Sequence, residues 1–444
     1  MPSVYRNLAS RPFNPSKSSK SAHPFERRKE TQTEGITLRE NGRVIFGTDL
    51  FRPYGIELKY HIERDPLWLR DCCKCEACVN RSSKQKQFDT TDIPDNITVK
   101  DWKLNGDTVR FTWENDVPGF DEHHETVFHL RDLHSFARLE ANTLSHLSHQ
   151  TYWKKDVLEK DLETVDFNSY INKDEVLLSV LQALRKYGIA FVQNVPENEQ
   201  SVVEVAQRIG PLKNTFYGYT WDVRSVPDAK NVAYTHGHLG FHMDLLYMKQ
   251  PPRLQFLHCV RSSAQGGASL FADSYRAVAN VWLDDQNSFN TLTSTFTHFE
   301  YNNDGHHYSR VQPVVKLNGH TRLNQSDRSA PGEVETTSPA GITTVNYSPP
   351  FQGPPSHETS GPLRQWHSAM KQLRAKIEQP DMIYQRQMAP GECVIFDNQR
   401  VLHARTAFEP GDAGKERWLR GAYLDEDPWM SSLRVLEEKY GAQQ

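Results

Sequence analysis

Four of the chain's six cysteines fall within one short stretch, Asp71-Cys72-Cys73-Lys74-Cys75-Glu76-Ala77-Cys78. Cysteines this close cannot staple distant parts of a fold as a disulfide framework does. The set Cys73, Cys75 and Cys78 is instead tight enough for three thiolates to converge on one ion, and soft sulfur in a tetrahedral sphere selects zinc(II). A closed structural site needs a fourth ligand. The run Asp121-Glu122-His123-His124 lies between two strand-like stretches where an imidazole can fold back, and His124 is the expected donor, with Cys72 left over. Cys259 and Cys393 sit in apolar strand patterns and read as small core residues.

The rest of the composition narrows the class. The chain has 444 residues, enough for one large and one smaller domain, and a formal charge of -4 gives no global field that would favour nucleic acid or an anionic membrane. Mean hydropathy is -0.70 and no run of roughly 18 apolar residues occurs, so no membrane span is expected. Residues 1–34 are rich in Ser, Pro, Lys and Arg and read as a disordered arm or a targeting segment. The expected compartment is cytoplasmic, with a mitochondrial one as the alternative. Residues 35–145 carry short β-like runs, among them Gly42 to Phe46 and Asp107 to Trp113 after an Asn105-Gly106 turn, and form the expected N-terminal β domain around the zinc.

Residues 160–444 form the expected catalytic domain, mainly β with flanking helices in an α+β arrangement. Asn172 as N-cap with Glu175 starts a helix that ends before Gly188, and a second helix covers about Glu199 to Ile209. Strands are expected at Leu254 to Arg261, Ser269 to Ala272, Glu392 to Phe396 and Trp418 to Tyr423, with a helix near Pro362 to Ile377. Between them lies His242-Met243-Asp244, which in extended backbone presents an imidazole and a carboxylate on one face. With a second histidine these make the 2-His-1-carboxylate facial triad of non-haem iron(II) oxygenases. His403, delivered by the strand and turn Gly391-Glu392-Cys393-Val394-Ile395-Phe396-Asp397-Asn398, has the best setting for that role. Downstream, Arg417 offers a planar fork for a carboxylate, and Ser269 after Gly266-Gly267 could add a hydroxyl.

Several ordered motifs carry a more specific likeness: LWLRDCCKCEAC (67–78), FYGYTWDV (216–223), NVAYTHGHLGFHMD (231–244), PPRLQFLHCVRSSAQGGASLFAD (251–273), GECVIFDNQRVLHAR (391–405) and RWLRGAYLDED (417–427). With them the chain resembles the gamma-butyrobetaine/trimethyllysine hydroxylase family of iron(II)/2-oxoglutarate dioxygenases. The resemblance implies a double-stranded β-helix, or jelly roll, for the catalytic domain. It implies iron(II) on His242, Asp244 and His403, zinc on Cys73, Cys75, Cys78 and His124, and 2-oxoglutarate and O2 as co-substrates, with Arg417 on the far carboxylate of the former. Tyr217, Trp221, Tyr234 and Tyr423 match the family's aromatic cage for a quaternary ammonium group, and Asn231 matches a residue near the substrate carboxylate. The implied activity is hydroxylation of gamma-butyrobetaine to L-carnitine by a homodimer acting on a small molecule. The alternatives are another betaine or trimethyllysine as substrate, or a non-catalytic zinc-stabilised binding protein. The chain departs from the family between residues 303 and 355, and Met243 stands where the family has threonine.

Overall fold

The computed structural model describes residues 31–33, 35–58, 60–133, 150–162, 164–224, 236–263, 266–318, 341–353, 360–409 and 417–440. It divides into two compact units, Met1–Thr143 and Leu144–Gln444. The arm expected over 1–34 falls almost wholly outside the described residues.

The first unit holds two antiparallel meanders. Thr31–Thr33, Ile36–Leu38, Val44–Phe46 and Ile62–Arg64 pair in sequence order, as do Thr98–Asn105, Thr108–Glu114 and Glu125–His129. The Asn105-Gly106 turn closes the second hairpin, with Asn105 opposite Thr108. Alternate residues such as Val44, Phe46, Val109 and Phe111 face one core, shared with Leu69 from the helix Pro66–Asp71.

The second unit is built on two sheets and is mixed α and β. The larger runs in the order Thr220–Arg224, Trp418–Leu424, Leu254–Arg261, Glu392–Asp397, Ile189–Gln193 and Thr164–Asp166, and the smaller in the order Leu239–His242, Val401–Arg405, Ser269–Asp273 and Tyr384–Arg386. Every pairing is antiparallel except that of Thr164–Asp166 with Ile189–Gln193. The sheets pack face to face: Phe271 of the smaller lies 6.1 Å from Phe191 and 5.7 Å from Phe396 of the larger, centroid to centroid. Helices cover the outside. Asp174–Tyr187 buries Leu177, Val180, Leu181 and Leu184 against the larger sheet and stops at Gly188, whose φ of 74° suits a residue without Cβ.

That helix begins later than the sequence indicated. Lys173 stands at its N-cap without a side-chain bond, while Asn172 closes a separate preceding helix, Phe167–Asn172, which Asp166 caps by accepting from the Ser169 N–H. The second expected helix is shorter, Ser201–Gln207. Among the described residues no helix is long and apolar enough to cross a membrane.

Candidate active site

In the first unit, the chain leaves Pro66–Asp71 into a turn in which Cys78 and Val79 N–H both donate to the Cys75 carbonyl. This turn gathers Cys73, Cys75 and Cys78, while His124 enters from the residue before the strand Glu125–His129. His124 Nε2 lies 3.5, 3.4 and 3.5 Å from the three sulfurs. Zinc bonds of about 2.0 Å to nitrogen and 2.3 Å to sulfur at a tetrahedral centre put those atoms about 3.5 Å apart, so the four donors fit a zinc ion. The outer contacts agree. Asp116 accepts from His124 Nδ1–H at 2.7 Å, which leaves Nε2 to face the thiols. Arg70, fully buried, donates to both Asp116 and Cys78 Sγ, and hydrogen bonding from Cys78 holds Cys73 well below the usual thiol range against its burial. Cys72 lies outside the set, and burial pushes its thiol up to about 11.

In the second unit, strand periodicity builds a cavity between the sheets. From the larger sheet Trp221 and Val223, Gln255 and Leu257, and Arg417, Leu419 and Tyr423 project inward as i, i+2 sets. The smaller contributes Ser269 and Phe271, and His403 and Arg405. The cavity holds about 850 Å³ of empty space, its mouth included.

His242, Asp244 and His403 meet on its wall. Register explains the histidines, since His242 pairs directly with His403 across adjacent strands and their rings lie 4.1 Å apart. The strand ends at His242, so Asp244 is set by the following turn rather than by extended backbone. Leu245 holds the left-handed φ of 57° there, a strained conformation for a branched residue. Asn398 fixes the turn by accepting from the Asp244 N–H and donating to its carbonyl, at 2.9 and 3.0 Å.

The donor atoms converge. Asp244 Oδ1 is 3.5 Å from His242 Nε2, and Oδ2 is 3.8 Å from His403 Nε2. His242 Nδ1 faces the Gly240 carbonyl at 2.9 Å; a carbonyl only accepts, so Nδ1 carries the proton and the Nε2 lone pair is available. Burial, with His242 beside it, pushes His403 down to about 3 and keeps it neutral. Neutral imidazoles and a carboxylate suit a divalent iron ion. Gln255 Nε2 and the Tyr423 hydroxyl both donate to Asp244 Oδ2 at 2.8 Å, each such bond to a charged group being worth about 1.5–3 kcal/mol.

The aromatic positions divide. Trp221 stacks on Tyr423 at 3.8 Å and 21°, and lies so flat over Gly421 that a Cβ there would fall 2.4 Å from the indole. Tyr217 lines the same cavity, and its neighbour Phe216 packs among Tyr247, Tyr301 and Tyr308. Tyr423 thus does more than its place in the cage motif suggested, because its hydroxyl is bound to the carboxylate. Tyr234 and Asn231 lie outside the described residues. Ser269 and Arg417 line the cavity, and Arg417 precedes its strand, which starts at Trp418. His236, His238 and His307 are exposed and His306 is half-buried; none joins the triad.

Sequence reasoning passed over Gln255, Asn398, Arg405, Tyr247 and the Pro350-Phe351 pair, all of which touch the site or its walls. A glutamine inside the apolar run Leu254-Gln255-Phe256-Leu257 was the one local signal available. Pro350 and Phe351 come from the segment that departs from the family pattern.

With this geometry in hand, the comparisons with known proteins agree on a class. A family model described as taurine catabolism dioxygenase TauD, TfdA family, matches residues 149–423, and one described as gamma-butyrobetaine hydroxylase-like, N-terminal, matches residues 58–134. Dioxygenase str8 of Strobilurus tenacellus is 33% identical over 383 residues, 83% of this chain and 84% of its own. Gamma-butyrobetaine dioxygenase of Pseudomonas sp. (strain AK-1) is 30% identical over 379 residues, covering 84% and 90%. Mitochondrial trimethyllysine dioxygenase of Homo sapiens is 27% identical over 394 residues, covering 86% and 85%. The protein is an iron(II)/2-oxoglutarate-dependent dioxygenase. The chain belongs to the TauD/TfdA family.

Proposed function

We propose that the chain hydroxylates gamma-butyrobetaine to L-carnitine, with His242, Asp244 and His403 holding iron(II), Arg417 and Ser269 holding the far carboxylate of 2-oxoglutarate, and Cys73, Cys75, Cys78 and His124 holding a structural zinc. The two packed, mostly antiparallel sheets, joined by the passage from Glu392–Asp397 in one to Val401–Arg405 in the other, support a double-stranded β-helix as the scaffold. When bound, iron supplies the oxygen activation that couples conversion of 2-oxoglutarate and O2 to succinate and carbon dioxide with insertion of one oxygen atom into a C–H bond.

The chain's own residues do the aiming. Gln255 and Tyr423 engage one oxygen of Asp244 and leave Oδ1 beside His242 Nε2, so the carboxylate is turned before metal arrives. Leu257, Phe271 and Leu419 give the cavity apolar walls that exclude water. A trimethylammonium group cannot donate a hydrogen bond and is recognised by ring faces. The observation that carries the substrate reading is the ring wall of Tyr217 and Trp221 on the triad's own cavity, with Trp221 held flat over Gly421. The relatives named gamma-butyrobetaine dioxygenase support the same reading.

The test is mass spectrometry of gamma-butyrobetaine incubated with protein, iron(II), 2-oxoglutarate and air. A gain of one oxygen atom matched by succinate is expected. Succinate with unmodified gamma-butyrobetaine, and hydroxylation of trimethyllysine in its place, would transfer the reading to that substrate.

A further inference from the structure

The segment that departs from the family pattern supplies part of the cavity wall. Pro350 and Phe351 line the cavity beside Leu245 and Tyr247. Pro350 is exposed and Phe351 half-buried, whereas His242 and His403 are buried, so this turn stands at the rim and the triad lies deeper. The ring at the rim is held from several sides. In the turn Pro349–Phe351 two prolines fix two of the φ angles. Before it, the Tyr347 carbonyl accepts at 2.8 Å from the N–H of Met243, the residue between two members of the triad. Asn346, fully buried, donates to the Pro313 carbonyl at 2.8 Å and accepts from Gln312 Nε2 at 3.1 Å. After the turn, the Gly353 N–H donates to the His298 carbonyl at 2.9 Å, and a Cβ on Gly353 would collide with the His298 ring. Phe351 itself meets Tyr247 edge to face at 5.1 Å and 72°, and Tyr301 at 6.1 Å. A ring tied to the triad on one side and to a strand on the other has little room to withdraw from a longer ligand.

We propose that Phe351 sets the length of substrate that the cavity accepts, as a fixed apolar wall at the rim that admits the chain of gamma-butyrobetaine and disfavours one a methylene longer. The inference deepens the gamma-butyrobetaine reading and rests on it. An apolar pocket discriminates a single methylene by about 10- to 200-fold, which sets the size of the effect.

The test compares product formation from gamma-butyrobetaine and from 5-trimethylammoniopentanoate, its homologue with one more methylene, by wild type and Phe351→Ala supplied with iron(II), 2-oxoglutarate and air. The ratio of kcat/KM for the longer betaine to that for the shorter should rise by about 10-fold or more in Phe351→Ala, with iron(II) stoichiometry unchanged. Phe351→Leu should move the ratio the same way by less, and it decides by that ratio if the Ala variant does not fold. An unchanged ratio would overturn the proposal. So would an equal rise in KM for both betaines, which would make Phe351 one more face for the cation rather than a gauge of length. Turnover of neither betaine by the wild type would overturn the substrate reading, and the length inference with it.

Discussion

The two donor clusters differ in how they are built. The cysteine site draws Cys73, Cys75 and Cys78 from one turn and His124 from the end of another, and its four donor atoms all lie within 4.8 Å of one another. The triad takes His242 and His403 from paired strands and Asp244 from a strained turn, supplies three donors, and opens on a cavity. A complete thiolate-rich set stabilises a fold, whereas an incomplete set of nitrogen and oxygen donors on a rigid sheet leaves positions for substrates. Their supports follow the same division. Arg70 and Asp116 lock the first cluster from behind, while Gln255 and Tyr423 turn the second cluster's carboxylate within the cavity wall itself.

The largest expected effect tests the open cluster. Asp244→Ala should reduce succinate formation from 2-oxoglutarate to background, with the first unit's zinc content unchanged; residual coupled turnover would break the distinction. Cys78→Ser should next remove zinc from the protein and lower the melting temperature, because metal binding at such a site is folding free energy, about 10–16 kcal/mol in isolated zinc-finger peptides. Retention of a full zinc equivalent would mean that the cluster is not the closed site described.

Two smaller effects sharpen the comparison inside the cavity. Trp221→Ala should raise KM for gamma-butyrobetaine by about 30-fold, from a cation–π contribution near 2 kcal/mol in a desolvated site, with kcat little changed. Gly421→Ala should copy that result without removing the ring, since its Cβ would meet the indole at 2.4 Å. Steady-state kinetics on both variants checks the pair, and a normal KM in Gly421→Ala would show that the flat seat of Trp221 does not matter. Gln255→Leu should weaken iron(II) affinity by about 10-fold, the lower end for loss of a partner to a metal ligand, as read by anaerobic titration.

Much of this was legible because β-structure writes itself locally. Leu254–Arg261 has the bounds its pattern indicated, and Cys259 and Cys393 are the buried core residues expected there. The thiol cluster was readable for the same reason, three of its donors being neighbours in sequence. Boundaries between abutting helices were not: Asn172 carried an N-cap signature, yet Asp166 caps one helix and the next starts at Asp174 without a side-chain cap. The supports of the triad were hidden for a different reason. Tyr423 and Asn398 reach Asp244 across more than 150 positions of chain, 179 and 154 respectively, and no local pattern encodes such a bond.

The central claim is that three remote side chains share one ferrous ion. Anaerobic titration of iron(II) into the zinc-loaded protein, followed by the charge-transfer absorbance that appears on adding 2-oxoglutarate, measures it directly. The account predicts one iron per chain in the wild type and none in His242→Ala. Equal stoichiometry in both proteins would contradict it.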